Sequence, residues 1–398
     1  MKLLQKLGQP VSIVALGVVT ATLLAACGGG GETPPSSFPG LTVADGAAYL
    51  ASNQHVHKFN PATGKELWRY PAIGQTFPSG EVHGPFAGEP LRFKDWVIVG
   101  GTIGSNGIPD ARLYAFDDKA GTAAWTWSVP GTTEQERREF ADGVVTDGKL
   151  IFAANGNGTL YALDPASMEG STPKLVWQFT TGNKLWSRPL VLDGRVYQSS
   201  LDHKLYALDA ATGKEIWNYQ AGASIASTPV IADGVLYFGA FDGYFHAVDA
   251  ASGVEKWKSP VDAWVWTRAT LVGKTVYFGD TKGRFYALNT ADGSRRYTST
   301  LGGSIHAQPL LDKQSLYVVS TDTFVYVLPQ DGSGEVVAQR LSDSGYLRRL
   351  TAAPAVYEGA LLLPLFDGDV KLTAIRLENR IKVFDLLLAT ATPVPAAP

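Results

Sequence analysis

Two short runs hold the residues best suited to recognition chemistry: Trp186 and Arg188 in one, Trp264, Trp266 and Arg268 in the other, with His306 standing 40 residues beyond Trp266. An exposed indole offers flat apolar area and a guanidinium offers donors in a rigid fork, which is why these residue types dominate interface hot spots. The alternative reading is that the tryptophans fill a channel mouth as core and the arginines are solvated rims. Catalytic chemistry has thinner support. The six histidines are scattered, and only His55 and His57 share a strand face, with no third ligand in view. Asp331-Gly332-Ser333-Gly334 lacks the alternating acids of a calcium loop and suits a hairpin turn. No nucleophile elbow, phosphate loop or carboxylate pair stands out. Cys27 is the single cysteine, so disulfides and thiolate metal sites are excluded. The expectation is a chain with no catalytic residues, no metal and no cofactor.

The elements that must position these residues come from a repeat. Leu205 to Trp217 reads LYALDAATGKEIW, and its aromatic positions return at a fixed step of 40 residues: Tyr206, His246, Tyr286 and Tyr326 in one register, Tyr197, Tyr237, Tyr277 and Tyr317 in another. Trp177, Trp217, Trp257 and Tyr297 mark the end of successive units, preceded by Trp68 and Trp125 in looser ones. Each unit divides into four short alternating or apolar runs separated by Asp-Gly, Gly and Ser-Gly turns, which predicts a four-stranded antiparallel meander. Units of this length that bury their apolar faces only against neighbours make propeller blades. Prolines 90, 189, 229, 309 and 354 open the first strand. A proline lacks the ladder donor, so that strand has a free edge and lines the axis, with the tryptophan strand outermost. The terminal aromatics, above all Trp217 and Trp257, should then be buried fold determinants. The fold class is all-β, an eight-bladed propeller, or seven-bladed if the unit from Pro354 to about Phe384 forms no sheet of its own.

At the start, Lys2 and Lys6 precede an apolar run from Val11 to Ala26 and the sequence Leu-Ala-Ala-Cys. This resembles a bacterial lipoprotein signal, too short and broken for a membrane span. It predicts a signal peptide over residues 1–26, lipidation at Cys27, a flexible tether over 27–40, the propeller over 41–387 and a disordered Ala/Thr/Pro tail over 388–398. Removing residues 1–26 leaves 32 basic residues against 37 acidic ones. That balance gives no footprint for nucleic acid, and membrane contact would come through the lipid alone.

ALDAATGKEIW, FNPATGKELW and VDAASGVEKW resemble the tryptophan-docking repeat of the pyrroloquinoline-quinone (PQQ) propeller superfamily over roughly residues 41–387. That superfamily holds both dehydrogenases and non-enzymatic scaffolds. The dehydrogenases' cofactor pocket uses a vicinal disulfide, which one cysteine cannot make, and a calcium site with no counterpart located here. With the lipoprotein signal, the chain resembles the family of the outer-membrane protein assembly factor BamB. The resemblance implies a non-catalytic envelope scaffold that docks on the barrel-assembly machinery as a monomer within a complex. Its location would be the periplasmic side of the outer membrane or the outer face of the cytoplasmic membrane. The alternatives are another surface propeller binding protein or ligand, and a PQQ-dependent enzyme. One departure is visible. The family docks through extended connections between middle blades, whereas residues 220–228 and 260–268 are short here.

Strand-one starts and the turns between strands two and three should share one face of the disc. The long connections, 70–89, 131–142 and 341–353, and an enlarged turn at 102–111 belong to that face. It is the expected partner surface, with Trp186, Arg188, Trp264, Trp266, Arg268 and His306 at its centre.

Overall fold

The computed structural model describes residues 39–387 except 53, 78–80, 106–107, 131–138, 341–350, 366–369 and 379–381. The signal, Cys27, the tether up to residue 38 and the tail lie outside the described residues. In the unit after Pro189 the strands are Leu190–Leu192, Arg195–Ser199, Lys204–Asp209 and Glu215–Gln220, hydrogen-bonded in that order. Gly213 closes the last hairpin at φ +70°, and the Asp209 carboxylate accepts the Thr212 N–H at 2.8 Å. This is the residue chemistry such a turn requires.

Among the described residues the meander occurs eight times, over residues 40–70, 87–128, 140–180, 190–220, 230–260, 270–300, 310–340 and 355–387, here blades 1 to 8. The inner strand is only three residues long in blades 4 to 8, beginning directly after its proline in four of them. The two middle strands are almost wholly buried and the fourth is largely exposed. Burial on both faces follows from stacking: Tyr197, Leu205 and Ala207 of blade 4 pack on Leu236, Phe238 and Val248 of blade 5. Each large side chain removed from water this way contributes about 1.5–3 kcal/mol. The ring closes where Leu41, Leu50 and Phe59 of blade 1 meet Leu362, Leu372 and Leu386 of blade 8. Among the described residues no helix is long and apolar enough to cross a membrane.

The terminal aromatics stitch neighbours at the rim. A Cβ on Gly213 would fall 2.5 Å from the Trp177 ring, and one on Gly253 2.7 Å from the Trp217 ring. Only glycine therefore lets the indole lie on the next blade's turn. The indole N–H then donates to a carbonyl 33 residues on, Trp177 to Ala210 at 3.0 Å, Trp217 to Ala250 at 3.2 Å, Trp257 to Thr290 at 3.0 Å. Trp68 lies on Gly121 and Tyr297 on Gly332 in the same way. Trp217 and Trp257 are half-buried, not buried as expected. One face docks while the outer edge stays open at the rim. Phe384 fills the position in blade 8 and packs on Gly64 of blade 1. Trp125 is buried but its indole nitrogen has no hydrogen-bond partner, because blade 3 replaces the short turn with long strands, Thr159–Glu169 and Thr172–Thr180.

Blades 2 and 3 share one sheet, joined at the axis where Gly143 pairs with Glu89. The enlarged turn expected at 102–111 is mostly strand: Trp96–Ser105 and Ile108–Asp117 prolong the hairpin, and Glu81–His83 adds to its edge.

Candidate functional site

The strand pairings put one register position of every blade on the axis: Gly40, Glu89, Asp142, Arg188, Thr228, Arg268, Gln308 and Ala353. Those residues line the channel. Two residues earlier stand Trp186, Ala226, Trp266, His306 and Thr351, which form the wall at the mouth. The spacing of two follows from strand pleat, since alternate residues face the same way.

Across the mouth, Trp186 and Trp266 stack with centroids 5.6 Å apart and planes 7° apart. They belong to blades 4 and 6 and meet because blade 5 carries only Ala226 between them. His306 lies 5.3 Å from Trp266. Trp264, the most exposed of the group at 41%, is not in the channel. It stacks on Phe241 at 4.8 Å, and Phe241 also touches Trp266 at 5.9 Å. Phe241 comes from the turn between strands two and three, whose N–H bonds the Ser224 carbonyl at 2.9 Å. That bond places the turn and the strand-one start on one face. The equivalent turn residues Leu201, Thr281 and Thr321 bond to strand-one starts in the same way. Phe241 was not singled out from the sequence, although the 40-residue register exposes it as the aromatic where its equivalents are Leu or Thr.

Below the aromatics the ring is charged. Arg188 donates to Glu89, and Thr228 Oγ1 lies 3.5 Å from Asp142 and 3.4 Å from the Arg188 carbonyl. Burial works against the Arg188 charge, but Glu89 and Asp142 together hold its pKa above the ordinary value. Burial pushes the Asp142 carboxyl up to about 6, against the pull of Arg188 and Arg268. Burial and then the like charge of Arg188 lower Arg268. Among the described residues Arg268 Nε is buried with no hydrogen-bond partner, and so is Thr351 Oγ1. Of the six residues expected at a partner surface, Trp264 is on the exposed rim, Trp186, Trp266 and His306 line the mouth, and Arg188 and Arg268 sit deeper in the ring. Glu89 and Asp142 were not foreseen. Glu89 had a signal, for it precedes Pro90 as Arg188 precedes Pro189. Asp142 had none, because glycine replaces that proline. His57, on the face considered for metal, is buried and bonds Glu66 through Nδ1 at 2.8 Å.

A family model described as outer membrane protein assembly factor BamB matches residues 33–167, 109–264 and 242–379. BamB from Moraxella catarrhalis has a similar solved structure, with TM-score 0.64 and 18% identity over 84% of this chain and 92% of that one. The computationally designed Ika8 protein gives 0.65 at 14% identity, over 86% and 97%. A europium-containing methanol dehydrogenase gives 0.54 at 17%, over 72% of each chain. These likenesses show the fold alone. A serine/threonine-protein kinase, AfsK of Streptomyces griseus, is 28% identical over 162 residues, which is 40% of this chain and 18% of that protein's length.

Proposed function

We propose, from the premise that this chain belongs to the outer membrane protein assembly factor BamB family, that it is a non-catalytic envelope scaffold, lipid-anchored through Cys27, that holds a protein partner during outer-membrane protein assembly. The observation that carries the partner surface is the exposed Trp264 stacked on Phe241, continuous with the Trp266, Trp186 and His306 wall. An aromatic platform that stays open on a rigid ring is suited to anchor a partner side chain. The barrel-assembly machinery is the partner this reading names, and the periplasmic side of the outer membrane its place. The propeller extends over residues 41–387, between the signal and tether on one side and the tail on the other. A second reading, a ligand-binding surface propeller, has the charged channel ring in its favour.

The test is a pull-down of the full lipidated chain from its native envelope. The Trp264→Ala, Trp266→Ala double variant should keep its circular dichroism spectrum and lose about tenfold or more of the partner recovered, as anchor truncations do. Lys214→Ala, on the far-face turn, should lose nothing. Normal recovery with the double variant and loss with Lys214→Ala would place the partner on the opposite face.

A further inference from the structure

The ring holds two acids and two arginines, but its hydrogen bonds are shared unevenly. Glu89 pairs with Arg188, and Asp142 faces that same arginine. Arg268 has no carboxylate within ion-pairing distance among the described residues, and its Nε is a buried donor left without an acceptor. Glu89 and Asp142 act on its charge from a distance, but a buried donor without an acceptor is uncommon in a native protein and suits an occupant that accepts from it. Thr351 Oγ1 is a second buried polar atom without a partner, and it lines the same cavity at the channel mouth.

The cavity leaves about 70 Å³ to the centres of water-sized molecules, which is room for a small polar group such as a carboxylate. A phosphate dianion would meet stronger repulsion from Glu89 and Asp142 beneath, and a cation would meet Arg268 and Arg188. The stacked Trp186 and Trp266 rings and the His306 imidazole stand together as one apolar wall of the mouth, against which the stem that carries a carboxylate can lie.

We propose that the channel mouth is a binding site for a single carboxylate, with Arg268 and Thr351 supplying the hydrogen bonds and Trp186, Trp266 and His306 the walls. The carboxylate belongs either to a small free acid or to an acidic side chain of the docked partner. The site goes beyond the scaffold reading, since it stands whether or not a partner covers it. Protonation of Asp142 removes a negative charge beside the site, so affinity should rise as pH falls toward about 6, the value to which burial pushes that group.

Acetate is the probe, with acetamide as its uncharged isostere, titrated into the full chain while indole fluorescence and chemical shifts are followed. Acetate should saturate, acetamide should bind about tenfold more weakly or not at all, and Arg268→Gln should abolish the difference. Thr351→Val, a milder change, should weaken acetate several-fold and guards against misfolding of the arginine variant. Equal responses to acetate and acetamide, or unaltered acetate binding by Arg268→Gln, would overturn the proposal. Acetate in the native pull-down distinguishes the two sources. If it displaces the partner recovered through Trp264 and Trp266, the carboxylate is the partner's; if the partner stays while acetate binds, it is a free acid. A partner lost in the tryptophan double variant alongside no acetate binding would leave the scaffold reading intact and remove this one.

Discussion

The seams from blade 3 round to blade 7 and those from blade 1 to blade 3 tighten the ring differently. In the first group they are held at the rim, where Trp177, Trp217, Trp257 and Tyr297 each lie on the next blade's glycine turn. In the second, Trp68 docks at the rim between blades 1 and 2, and both seams tighten further at the axis, where a Cβ on Gly40 would fall 1.9 Å from the Gly88 carbonyl oxygen and one on Gly88 2.2 Å from the Gly143 nitrogen. Backbone there meets backbone. The difference matters for the site, since the rim-held half brings Arg188 and Arg268 to the channel and the axis-held half brings Glu89 and Asp142. A regular repeat spaces its cations evenly, and an irregular one supplies the acids that meet them.

The largest expected effect separates the two kinds of seam. Gly88 has φ +78°, so Gly88→Ala adds both a strained backbone and a clash with atoms that cannot rotate away. It should cost about 3 kcal/mol or more, read as a drop in denaturant midpoint. Gly253→Ala, at φ +75°, carries the same backbone strain, but its Cβ meets the half-buried Trp217 ring and not backbone, and that ring can slide outward into solvent. About 1–2 kcal/mol is expected there. If the rim change cost more than the axial one, the contrast between the halves would be wrong.

The second experiment asks whether the acids of the irregular half matter more than acids elsewhere. Arg188 and Glu89 keep only 13% and 26% of their side chains exposed. Glu89→Gln leaves the guanidinium short of a counterion and should cost about 2 kcal/mol, below the figure for a fully buried pair because the channel admits water. Asp262→Asn breaks the Arg284 pair on the surface of the regular half, where the side chains are 38% and 47% exposed, and should change stability by no more than about 0.5 kcal/mol. Equal losses would mean that the channel ring behaves as ordinary surface.

The same division decides what the sequence made visible. Eight blades, an inner proline strand and an outer aromatic strand were legible because a strict 40-residue step repeats turn chemistry and strand alternation together. The rim face was legible too, since the register puts strand-one starts beside the turns between strands two and three. The charge pairing was not. Glu89 and Arg188 are 99 residues apart, and the inner strands of blades 2 and 3 carry register shifts, between Ala87 and Leu91 and between Phe140 and Val144, that hide the equivalence. The depth of the arginines was missed for a related reason. Residues two apart on one pleated strand share a face, but their height along the channel depends on where neighbouring blades stand.

The smallest effect is also the most diagnostic, because its sign reports the balance of the ring. Asp142 has a folded pKa of about 6, raised first by burial, against an ordinary value near 4. Between those values the folded protein binds more protons than the unfolded chain, so this group's contribution to stability is greatest below about pH 4 and declines as pH rises through about 6. Asp142→Asn fixes the group neutral and keeps a polar contact for Thr228. Denaturant midpoints of the two proteins should lie close together near pH 4 and diverge by about 1 kcal/mol near pH 7.5, with the variant the more stable; a pKa raised from about 4 to about 6 would in full carry about 2.7 kcal/mol, and the smaller figure allows for a side chain that is only half-buried. The reverse order at the higher pH would mean that Arg188 and Arg268 outweigh the burial of the carboxylate. Arg268 would then already have its counterion in Asp142, and the channel mouth would have no charge left to offer a ligand.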